Sequence, residues 1–63
     1  MLKPTKRNVL HVANEVWDVD EDTEFDFAEI KVIAIKLELE PDEETLTKIK
    51  AILEKEGFEC GDL

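Results

Sequence analysis

The chain is predicted to fold as an α+β domain. The expected order is a small antiparallel sheet built as a β-hairpin, one helix packed across it, and a short C-terminal edge strand as a further element (ββα or ββαβ). Three observations predict it. The decapeptide Ile30-Lys31-Val32-Ile33-Ala34-Ile35-Lys36-Leu37-Glu38-Leu39 is the most apolar stretch and is rich in β-branched side chains, which favour a strand. Before it, Trp17 and Val19 face Phe25 and Phe27 across the polar turn Asp20-Glu21-Asp22-Thr23, as the two arms of a hairpin would. After it, from Pro41, the apolar spacing changes to a helical period.

Taken in order, Met1–Arg7 carries three positive charges and no acid, and reads as a flexible basic arm ahead of a single domain over residues 8–63. Asn8–Val19 fits two templates. With helical period, Val9, Val12, Ala13, Val16 and Trp17 share a face behind an Asn8 N-cap; with strand period, Leu10, Val12 and Val16 do. The valines and the tryptophan favour strand on propensity. Phe25 and Phe27 then alternate with acids. The apolar phase slips before Ile33, because Glu29 and Lys31 fall on the same face, and this predicts a bulge near Ala28–Lys31. Pro41 suits the first position of the helix, and Asp42, Glu43 and Glu44 suit the positive end of its dipole. Leu46, Ile49, Ile52 and Leu53 form its apolar stripe, Glu44 and Lys48 are spaced for an ion pair, and Gly57 closes it. Phe58-Glu59-Cys60 reads as a last short strand, parallel to the one before the helix.

The totals exclude several classes. A chain of 63 residues is one domain and buries only about 60% of its unfolded surface, so it leans on a partner, a metal or a second copy. Cys60 is the single cysteine, which rules out an internal disulfide and fits a reducing, cytoplasmic setting. No apolar stretch follows the charged N-terminus as in a signal peptide, and the Ile30–Leu39 run is too short to span a membrane. Seventeen acids against eight bases give a net charge of −9. Direct binding to nucleic acid or an anionic membrane is therefore disfavoured, and a basic protein is the expected partner. Val32–Ile35 is apolar on both strand faces, so a second copy is expected to cover the sheet face that the helix leaves open, making a homodimer.

Asp18, Asp20, Glu21, Asp22, Glu24, Asp26 and Glu29 put seven acids in twelve residues with no base. Asp18, Asp20, Asp22, Glu24, Asp26 and Glu29 fall at positions 1, 3, 5, 7, 9 and 12 of the calcium loop, with the apolar Phe25 at position 8. On those positions the segment resembles the loop of EF-hand proteins, which implies a small calcium-binding protein as the alternative function. Position 6 is Thr23, where that loop has its turn-forming glycine. The leading expectation is different: a small acidic, non-enzymatic interaction protein that binds or inhibits a basic partner. In that reading Asp18, Asp20, Asp22, Glu24, Asp26, Glu38, Glu40, Asp42, Glu43 and Glu44 form the contact surface, and Trp17 anchors it. Nucleic-acid mimicry is one form of it. Alternate acids on a strand stand about 6.7 Å apart, against one DNA charge per about 1.7 Å, so mimicry needs both acid groups on one face. His11 and Cys60 have no partner at a diagnostic spacing, so no catalytic set, metal site or cofactor is predicted.

Overall fold

The computed structural model describes residues 3–61. It contains three helices and a two-stranded sheet in the order α1 (Lys6–Val16), β1 (Glu24–Phe25), α2 (Phe27–Lys36), α3 (Glu43–Lys55) and β2 (Glu59–Cys60). Helices account for 58% of the described residues, so helix packing rather than a sheet builds the core. The predicted hairpin followed by one helix is thereby corrected.

The largest correction is at Ile30–Leu39, which lies in α2 and its C-terminal cap, not in a strand. Ile30, Ile33, Ala34 and Leu37 are buried, at the i, i+3, i+4, i+7 spacing of one helical face. Asp26 starts the helix. Its Oδ1 accepts from the Glu29 N–H at 2.9 Å, while Glu29 Oε1 accepts from the Asp26 N–H at 3.1 Å, a reciprocal capping box. The phase slip read as a bulge at Ala28–Lys31 is therefore the change from strand to helical period. The far end closes without glycine. Glu38 takes a left-handed φ of 60°, which brings the Leu39 N–H onto the Ala34 carbonyl at 2.9 Å and the Glu38 N–H onto that of Ile35 at 2.9 Å.

Residues 8–19 are likewise helical through Val16. Of the helical template's face, Val9, Val12 and Ala13 are buried, whereas Val16 is 39% exposed and Trp17 caps the helix half-buried; Thr5 rather than Asn8 is the N-cap, its Oγ1 accepting from the Asn8 N–H at 3.2 Å. Lys6 and Arg7, at the end of the expected arm, form the first turn of α1, and Lys6 pairs with Glu56 at 3.3 Å. Met1 and Leu2 lie outside the described residues.

α3 follows its sequence pattern closely. Leu46, Ile49 and Leu53 are buried and Lys48 reaches Glu44 at 3.3 Å. Asp42 caps it, so Pro41 stands just before the cap rather than inside the first turn. Gly57, at φ 95°, ends the helix, with the Phe58 N–H on the Leu53 carbonyl at 3.0 Å.

β1 and β2 pair in parallel, with Glu24 beside Glu59 and Phe25 beside Cys60. No arm containing Trp17 and Val19 pairs with Phe25 and Phe27. The expected face is half realised: Trp17 meets Phe25 edge-to-face at 6.0 Å, and Phe58 meets its ring at 5.4 Å, but Phe27 has moved onto α2 and is 42% exposed. Val9, Phe25, Ile30, Ile33, Leu37, Ile49 and Leu53, all fully buried, form a single core shared by the three helices and the sheet. The outer face of the sheet carries the exposed Glu24 and Glu59 in place of the apolar row that a second copy was expected to cover.

Candidate functional site

The acidic turn after α1 is shaped by its own side chains. Asp20 Oδ1 accepts from the Asp22 N–H at 2.9 Å and from the Thr23 hydroxyl at 3.2 Å, and Thr23 Oγ1 accepts from the Asp20 N–H at 2.9 Å. Asp and Thr close such turns by standing in for backbone groups. The turn delivers the chain into β1, whose two residues split by face: Phe25 goes into the core, and Glu24 is exposed. In β2, Cys60 is half-buried and Glu59 is exposed. Because the strands pair in parallel with Glu24 opposite Glu59, two carboxylates stand side by side on the solvent face. Like charges directly opposite are destabilising. Glu21, Asp22, Glu24 and Glu59, with Thr23 and Gly57, line one depression of about 200 Å3 that contains no base.

Of the residues singled out in the sequence, Asp18, Asp20, Asp22, Glu24 and Asp26 are exposed around this turn, and Glu38, Glu40, Asp42, Glu43 and Glu44 are exposed around the α2–α3 connection. Asp42, Glu43 and Glu44 line a second, open depression with Thr47 and Lys48. Three of these acids hold structure: Asp20 the turn, Asp26 the start of α2 and Asp42 the start of α3. The Thr45 N–H, donated to Asp42 Oδ1 at 2.9 Å, draws the Asp42 carboxyl below its ordinary value. Trp17 is half-buried against Phe25 and belongs to the core rim more than to an exposed anchor. Glu59 is the residue that sequence reasoning missed. Its role depends on pairing with a strand far earlier in the chain, and two-residue strands carry no periodic signal.

The extended row of alternate acids assumed for mimicry does not form, since only Glu24–Phe25 of that segment is strand. The calcium-loop spacing is also not realised as a loop. Thr23 sits in a tight turn, and positions 9 and 12 are the two halves of the α2 capping box. Among the described residues, no three of His, Cys, Asp and Glu converge as a metal-binding group. His11 lies exposed on α1, with Nε2 3.2 Å from Glu15 Oε2. The Cys60 thiol faces the Lys50 carbonyl at 3.9 Å, and burial, together with the charge of Glu54, pushes its pKa up, away from the reactive thiolate. Among the described residues, no helix is long and apolar enough to cross a membrane. No protein-family model, curated protein or solved structure matches the chain.

Proposed function

We propose that this chain is a small non-enzymatic interaction protein of the cytoplasm that binds, and thereby inhibits or regulates, a basic protein partner through its acidic surface. The observation that carries the reading is the register that sets Glu24 beside Glu59, next to Glu21 and Asp22. A free protein gains nothing from such an arrangement, whereas an incoming lysine or arginine relieves the repulsion and is drawn by a net charge of −9. Asp18, Asp22, Glu24, Glu40 and Glu43 form no ion pair with another described residue, which leaves them available to a partner.

Capture of partners from cell extract onto the immobilised chain, at about 0.05 M and at about 0.5 M salt, tests this, since screening shortens the reach of exposed charges roughly threefold over that range. The reading expects basic proteins to be retained at low salt and released at high salt. Retention indifferent to salt, or of acidic and neutral proteins only, contradicts it.

A further inference from the structure

α2 and α3 leave between them a groove of about 340 Å3 lined by Phe27, Lys31, Pro41, Glu43, Leu46 and Thr47. Its apolar part comes from Phe27, which is 42% exposed, from Pro41 and from the edge of Leu46. One wall is capped by Lys31, whose Nζ lies 5.1 Å from the Phe27 ring centre. The other wall is the first turn of α3, where Glu43 lines the groove and Asp42 extends the negative rim into the adjoining depression, in which Glu44 is already paired with Lys48 at 3.3 Å. One turn beyond Lys31 on α2, Ile35 is the most exposed large apolar side chain among the described residues, at 59%.

We infer that this groove is the seat for one amphipathic, cationic helix of the partner protein, deepening the function proposed above and resting on it. An apolar side chain enters between Phe27 and Leu46, a second covers Ile35, and lysines or arginines face Glu43 and Asp42. Lys31 sets the direction, because it repels basic residues from the α2 side and leaves them the α3 side. Charge decides the occupant. A second copy would bring its own −9 against the acidic rim, while a basic helix complements it and still supplies an apolar face to cover Phe27 and Ile35.

The test is amide NMR mapping of the isotope-labelled full chain with two synthetic peptides. One contains leucine, lysine and alanine arranged with a single apolar helical face; the other replaces each leucine by alanine. The leucine peptide is expected to shift Phe27, Lys31, Leu46 and Thr47, and Thr47→Lys, an exposed change in the groove wall, is expected to weaken it about tenfold with the remaining spectrum unchanged. If both peptides shift only the Asp18–Glu24 turn and Glu59, the groove inference falls and the acidic-surface function stands. If neither shifts anything, both fall. Concentration-dependent broadening at the groove amides of the protein alone would assign the groove to a second copy and overturn the inference.

Discussion

Phe25 is where the fold and the candidate site meet. Its ring is 1% exposed and is clasped edge-to-face by Trp17 and Phe58, while its backbone neighbour Glu24 carries charge outward. Truncation there opens a cavity in a very small core, and Phe→Ala changes cost about 3–5 kcal/mol. Phe25→Ala is therefore expected to leave the chain largely unfolded, seen as loss of far-ultraviolet helical signal; a cooperative melt near the wild-type midpoint would refute this. Gly57 supports a finer prediction. A Cβ at this residue would meet nothing within 4 Å, so any penalty arises from its left-handed φ of 95° alone. Gly57→Ala is expected to cost about 1 kcal/mol, read as a lower denaturation midpoint in urea with an unchanged slope.

Among the elements, α3 was legible because every local signal agreed: the acids at its start, the Leu46–Ile49–Leu53 stripe, Lys55 in its last turn and Gly57 beyond it. α2 was not, for physical reasons. Its sequence is apolar nearly all round, since Ile35 is exposed and Val32 only half-buried, so the helical stripe does not stand out from a buried strand. Its β-branched residues argue for strand, yet propensity is a weak prior that packing against α1 and α3 overrides. Its end carries Glu38 in the conformation that glycine usually marks. One signal was present and unused: Asp26 followed three residues later by Glu29, the capping-box spacing. Asp26→Ala removes the acceptor and unties Glu29, and is expected to lower stability by about 1 kcal/mol, with amide exchange rising first in Phe27–Ile30. Unchanged protection there would show that the cap is idle. Of the candidate site, the exposed acids were legible from composition, but their grouping with Glu59 and the groove beside Phe27 depend on tertiary structure. Asp42 adds a pH dependence. Its carboxyl titrates lower in the folded chain than in the unfolded one, so its contribution is full above the ordinary carboxylate value and is lost as pH falls through the depressed one. From about pH 4 downward, wild type is expected to lose stability more steeply than Asp42→Asn, which keeps a capping oxygen without the charge. Parallel acid-melting curves would contradict that assignment.

For the whole molecule, a Cα radius of gyration of 10.2 Å is close to the value of about 10–11 Å for a compact chain of this length, so the −9 charge is confined to a small volume. Self-repulsion then works against folding, and in the proposed function the same charge attracts a basic partner; salt screens both, so it is expected to raise stability while weakening capture. The measurement that tests this most directly is Glu59→Lys, followed by thermal melting and by low-salt capture of basic proteins on the same samples. Replacing the like-charged neighbour of Glu24 is expected to raise stability by about 0.5 kcal/mol, or about 2–4 °C in midpoint, while capture weakens. A variant that melts lower than wild type, or that captures basic proteins as well as before, would contradict it.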